Sequence, residues 1–141
     1  MRVFAALLCA VPVTAAACGN GSTATAPSST TPTVKTERFD AILLPRTSAF
    51  FSFQVGGTGS VSINLASLSA LARPGAVPAV MEIGYGVPAG EGCSIQNSVQ
   101  TTPGLTSQLT GTLAAGIYCA NIADIGNLIE SVNFSMRITH P

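Results

Sequence analysis

The side chains able to do acid–base work are few: one histidine, His140, and six carboxylates, Glu37, Asp40, Glu82, Glu91, Asp124 and Glu130. Glycoside hydrolysis needs two facing carboxylates, and nothing in these scattered spacings nominates a pair. His140 stands next to last, which reads as a mobile surface imidazole. No G-x-S-x-G, S-x-x-K or H-E-x-x-H occurs to supply a nucleophile or a zinc set around it. A zinc site would want a second histidine or a cysteine cluster, and neither is present. Asp124 and Asn127 could offer oxygens to Ca²⁺. The plainer reading of Asp124-Ile125-Gly126-Asn127 is a turn held by the aspartate side chain. Gly84-Tyr85-Gly86-Val87-Pro88-Ala89-Gly90 has the wrong spacing for a dinucleotide loop, and Pro88 would interrupt the helix such a loop must open. The expectation is a protein without catalytic residues, cofactor or metal.

The elements that must position these groups come in two kinds. Hydrophobic residues make up 47% of the chain and charged ones 9%, a balance that would suit a membrane protein. Part of that content sits in residues 1–17, MRVFAALLCAVPVTAAA. One positive charge, Arg2, precedes an apolar run shorter than the ~20 residues that cross a bilayer as a helix. The run ends in Ala15-Ala16-Ala17, small residues of the kind a signal peptidase accepts, so residues 1–17 are expected to be a signal peptide. The zero net charge lacks the basic signature of nucleic-acid binding. Residues 19–36, GNGSTATAPSSTTPTVKT, cannot bury enough apolar surface to offset their ordering entropy. They are expected to be a disordered tether with a reach of roughly 20–25 Å.

Val13-Thr14-Ala15-Ala16-Ala17-Cys18 resembles the lipobox of bacterial lipoproteins. The resemblance implies that the Cys18 thiol takes a diacylglyceryl group and that its amino group, freed by cleavage, is acylated. Ala15 stands where leucine is usual, and the same residues also suit ordinary Ala-x-Ala cleavage. Gly19 after the cysteine is similar to the outer-membrane-sorted class. Lipidation would make a membrane the first partner, since acyl chains at ~0.8 kcal/mol per buried CH₂ anchor durably. The expected location is the bacterial cell envelope, at the outer membrane if one is present, or else the periplasm or the medium.

From residue 37 to 141 the apolar positions alternate. Phe51, Phe53 and Val55 oppose Ser52 and Gln54; Val61, Ile63 and Leu65 oppose Ser62 and Asn64; Val132, Phe134, Met136 and Ile138 oppose Asn133, Ser135 and Arg137. A period of two marks strands with one buried and one wet face. Further strands are expected at 38–44, 79–86, 94–100, 106–112 and 117–122. Gly56-Gly57-Thr58-Gly59 reads as a hairpin connection. Leu65, Leu68 and Leu71, spaced three apart, suggest a short helix within a long connection. The predicted fold is all-β: an antiparallel β-sandwich, jelly-roll-like or Greek-key, of about 7–9 strands. With Cys9 in the signal peptide and Cys18 given to lipid, Cys93 and Cys119 are the pair left to form one disulfide.

Leu113-Ala114-Ala115-Gly116-Ile117-Tyr118-Cys119, followed by Asp124-Ile125-Gly126-Asn127-Leu128 and a long last strand, is similar to the bacterial pre-peptidase C-terminal domain. The resemblance is clearest over residues 50–65 and 105–139. It implies a β-sandwich accessory module in which Gly116 makes a bend and Tyr118 packs between the sheets. No catalytic domain accompanies it in this sequence. The expected role is therefore a non-catalytic binding or structural module, its partner an envelope protein or a polysaccharide. A carbohydrate- or polymer-binding module would need an exposed aromatic row or a hollow sheet face, and Tyr85 is the one aromatic without a place in the alternation. A small protein inhibitor would need a long exposed loop braced by the disulfide, for which residues 86–93 are the candidate.

Overall fold

The computed structural model describes residues 33–73 and 75–141. The signal peptide, Cys18 and the tether as far as residue 32 lie outside the described residues. Eight strands follow one another: β1 (Lys35–Leu43), β2 (Ser48–Val55), β3 (Gly59–Ala70), β4 (Met81–Ala89), β5 (Gly92–Thr101), β6 (Leu109–Leu113), β7 (Gly116–Ala123) and β8 (Val132–His140). They form two four-stranded antiparallel sheets, here sheet A in the order β1-β8-β3-β6 and sheet B in the order β2-β7-β4-β5. Every connection except β4–β5 crosses between the sheets, and this is the eight-stranded jelly roll.

The alternation builds the core. Phe53 and Val55 of β2, Val61, Ile63 and Leu65 of β3, Met81 and Ile83 of β4, Ala120 and Ile122 of β7 and the even-numbered residues of β8 all face inward and are buried. Apart from Ile42 on β1 and Ala66 at the bulge of β3, the outward positions of β1, β3 and β8 are serine, threonine, asparagine and charged residues.

Three local readings of the sequence change. Gly56–Gly59 does not close a hairpin, because β2 belongs to sheet B and β3 to sheet A. It carries the chain between sheets, with the Gly56 amide donating to the Pro141 carbonyl (2.8 Å). Leu65 and Leu68 are not helical. They lie on β3, whose register against β8 shifts between Leu65 and Ser67. One extra residue at that bulge turns a spacing of two into three and keeps both leucines in the core. Leu71 lies beyond the strand and is exposed. The folded part also begins before residue 37, since β1 pairs with β8 from Lys35↔His140 onward and the Thr36 and Thr139 hydroxyls meet at 2.8 Å. That pairing recovers the backbone bonds and gives Lys35 and Thr36 to the sheet.

Tyr85 continues the inward row Met81, Ile83 and is 8% exposed. Its ring crosses the interior to Gly111 on β6, and its hydroxyl accepts from Asn97 Nδ2 at 3.3 Å. A Cβ at Gly111 would overlap that hydroxyl. Gly111→Ala is expected to destabilise the fold by ~1–3 kcal/mol, the usual cost of overpacking a filled core. Chemical denaturation measures it, and an unmoved midpoint would refute the cross-sandwich contact.

Candidate functional site

Strand directions give the sandwich two ends. Lys35, Val55, Gly59, Leu113, Gly116 and His140 lie at one, where the chain enters the domain from its N-terminal side. Leu43, Ser48, Ala70, Met81, Ala123 and Val132 lie at the other, here the distal end.

At the near end stands the one histidine, and it is not a mobile surface group. His140 is fully buried because it extends the inward alternation of β8 by one more step, past Ile138. The ring lies 5.2 Å from that of Phe53, Nε2 is 3.3 Å from Glu37 Oε1, and Nδ1 is 3.0 Å from the Pro141 carbonyl oxygen. Glu37 also pairs with Lys35 at 2.6 Å. The Lys35 ammonium, against some burial and with help from His140, holds the Glu37 carboxyl below its usual range. A sealed imidazole reaches no substrate proton, so the cluster fastens the start of β1 to the end of β8.

Three of the other carboxylates, Asp40, Glu130 and Asp124, are similarly engaged. Arg38 donates to Asp40 at 3.0 Å and to the Ser135 hydroxyl at 3.2 Å. The Ser135 hydroxyl and the Arg38 guanidinium, against desolvation, keep Asp40 ionised below the ordinary carboxylate range. Glu130 pairs with Arg73 at 3.0 Å. Asp124, read from sequence as a turn holder with a calcium site shared with Asn127 as the alternative, is a turn lock. Its Oδ1 accepts the amides of Gly126 (3.0 Å), Asn127 (2.8 Å) and Leu128 (3.1 Å), and its Oδ2 accepts that of Arg46 (2.7 Å). The Asn127 side-chain Nδ2 donates to the Val80 carbonyl at 2.8 Å. A cation on Asp124 would have to displace four donors. Among the described residues no group of three or more His, Cys, Asp and Glu side chains is placed to hold a metal ion.

The Cys93–Cys119 disulfide forms, with Cα atoms 5.9 Å apart. It joins β5 to β7 across β4, whose Gly86 pairs with Cys119; a Cβ at Gly86 would collide with the Ser94 backbone of β5. Within residues 86–93, positions 87–91 are exposed and Cys93 carries the disulfide, but the segment is not a long loop. Val87–Ala89 pair with Gly92–Ser94 in a tight hairpin, not the long loop expected for an inhibitor.

The concavities among the described residues include two towards the distal end. On the outer face of sheet A, Arg38, Asp40, Ser67, Ser69, Asn133 and Ser135 line a groove of about 480 Å³. Its rungs follow the register, Asp40–Ser135–Ser67 and Ile42–Asn133–Ser69, and the bulge in β3 sets the serines in phase with β8. Around the end, the 71–80 and 124–131 connections enclose a cleft of about 320 Å³ with apolar walls from Ala70, Val77, Pro78, Leu128 and Val132, and the Arg73–Glu130 pair at its rim. Ile129 (91% exposed) and Leu71 (50%) stand on the same connections. The sequence signalled neither concavity, because both depend on which strands and loops become neighbours.

No protein-family model and no curated protein matches the chain. Among solved structures, the crystal structure of a Yersinia pseudotuberculosis-derived mitogen is similar over 79% of this chain and 88% of that one, at 12% identity and a TM-score of 0.47.

Proposed function

We propose that the protein is an exported, non-catalytic binding module, held at the cell envelope through its N-terminal region and engaging its partner with the distal end. The observation that carries this reading is the direction of β1. The chain joins the domain at the near end, while the sheet A groove and the loop cleft lie towards the opposite one. A module tethered ahead of Lys35 would present both concavities away from the surface that holds it. The lipobox-like Ala15-Ala16-Ala17-Cys18 supports lipid as the anchor. The engagement of Glu37, Asp40, Asp124 and Glu130 in ion pairs and backbone bonds supports binding over catalysis.

A polysaccharide partner is favoured by one feature. The groove offers hydroxyls, an amide, a carboxylate and a guanidinium in two cross-strand rows, donors and acceptors suited to sugar hydroxyls. Its affinity would come from hydrogen bonds, since the side chains lining it include no outward aromatic ring. Such a role agrees with the accessory function implied by the pre-peptidase C-terminal resemblance.

Cell fractionation tests the anchor. The wild-type chain is expected in the membrane fraction and Cys18→Ala in the soluble exported fraction. A Cys18→Ala protein that stays with the membranes would eliminate the lipid. Binding is tested by co-sedimentation of the Cys18→Ala chain with isolated envelope polysaccharide. Ser67→Leu with Asn133→Leu should lower the bound fraction at least about tenfold, a loss of ~1.4 kcal/mol. Equal binding by wild type and variant would remove the groove from recognition.

A further inference from the structure

Resting on the reading of the sheet A groove as a polysaccharide site, we propose that Arg38 and Arg137 beside it form an anion-binding rung for a carboxylate-bearing polysaccharide. Strand β1 pairs with β8 so that Arg38 stands directly opposite Arg137, and both are exposed on the outward side. Like charges placed directly across an antiparallel pair destabilise it. The outward positions of β1, β8, β3 and β6 hold one further charge, Asp40. Five basic and six acidic residues follow residue 17. Two of those five cations share one rung in a stretch of chain with no basic excess.

The neighbours leave the pair largely unanswered. Asp40 takes the Nε of Arg38 at 3.0 Å, and the same Nε donates to the Ser135 hydroxyl. Among the described residues, the terminal nitrogens of Arg38 have no acceptor within hydrogen-bond distance, and Arg137 has neither a hydrogen bond nor an ion pair. On its other side Arg137 faces Asn64, whose Nδ2 is committed to the Gly104 and Thr106 carbonyls (2.8 and 2.6 Å). The next rung towards the near end, Thr36 with Thr139, closes on itself through its two hydroxyls. Two guanidinium groups with open N–H donors therefore stand side by side on a polar face whose net charge is +1, two arginines less one aspartate. A single carboxylate between them accepts from both and removes their repulsion.

The groove receives the rest of the ligand. Distal to the arginines come the rungs Asp40–Ser135–Ser67 and Ile42–Asn133–Ser69 that line it. Successive rungs lie about 7 Å apart along β8. A polymer lying along this strand meets a cationic rung and then hydroxyl and amide groups, matching an acid group followed by sugar hydroxyls. A single-stranded nucleic acid would want aromatic rings beside the arginines, and the outward positions of β1, β8 and β3 carry none.

Affinity electrophoresis of the full chain carrying Cys18→Ala tests the proposal, in native gels holding either polygalacturonate or the same polymer with its carboxyl groups reduced to alcohols. Polygalacturonate should retard the protein, with an affinity at least about fivefold that of the reduced polymer. Arg137→Gln should lose that preference, while its melting temperature without polymer stays level or rises, because the like-charge pair is gone. A fall in that melting temperature makes Arg137 a structural residue and overturns the proposal. Equal retardation of the wild type by the two polymers, or retardation by neither, also overturns it. Retention on phosphatidylglycerol vesicles without retardation by polygalacturonate would assign the arginines to a lipid surface and count against it. The groove reading fails separately: it falls when Ser67→Leu with Asn133→Leu binds envelope polysaccharide as the wild type does. If that variant loses binding while Arg137→Gln keeps the wild-type preference, only the arginine rung falls.

Discussion

Replacing both Cys93 and Cys119 with alanine is expected to lower the stability of the domain by ~3.5 kcal/mol, the chain-entropy value for a loop of about 27 residues. A domain of this size typically has only ~5–15 kcal/mol of net stability. The loss should therefore appear as a fall in Tm on the order of 15–25 °C. The two cysteines lie 26 residues apart, and the intervening chain leaves sheet B for β6 in sheet A before returning as β7. Releasing the bridge frees that whole excursion in the unfolded state. Reduction of the wild-type protein should reproduce the fall, and a change of only a few degrees in both would assign the disulfide no part in stability.

Asp124→Ala should cost about as much, ~3–5 kcal/mol, by leaving four backbone amides without their charged acceptor. One of them belongs to Arg46, which adopts φ 60°, a left-handed conformation uncommon for a side-chain-bearing residue. The carboxylate thus ties the β1–β2 and β7–β8 connections together while holding a strained turn. Burial pushes the Asp124 carboxyl up, but the amides of Arg46, Asn127, Leu128 and Gly126 outweigh it and hold it below the usual range. A carboxyl depressed in the folded state contributes stability that is present above its unfolded value, near pH 4, and is lost as the pH falls through its lower folded value. Melting temperatures measured downward from pH 5 should therefore fall for the wild type, and less steeply for Asp124→Asn. Identical slopes would contradict this assignment. The same geometry predicts that calcium and chelators leave the wild-type melt unchanged.

Much of the fold was legible in the residues. Alternation at Phe51–Val55, Val61–Leu65 and Val132–Ile138 identified three strands directly, because a strand's side-chain period is a property of the backbone and needs no neighbour. The readings that changed shared a cause. The three-residue step from Leu65 to Leu68 is ambiguous alone, since a helical turn and a bulged strand space apolar residues alike. Only the register of β3 against β8 separates them. Gly56–Gly59 permits a tight turn, but whether the next strand returns beside the last or crosses to the other sheet depends on pairing energies distributed over the domain. For His140, position in the chain misleads, whereas the step of two from Ile138 carries the signal for an inward side chain.

Sequence by itself determined the fold class, the pairing of the two cysteines of the domain and the scarcity of catalytic groups, because periodicity, cysteine number and residue type are local or countable properties. The tertiary structure alone decided that Tyr85 spans the sandwich to Gly111 and that Asp124 locks two distant connections. It also placed the groove of Arg38, Asp40, Ser67 and Ser135 on one face of sheet A. Each of those features joins residues from strands far apart in the chain, and sequence spacing carries no record of which strands become neighbours.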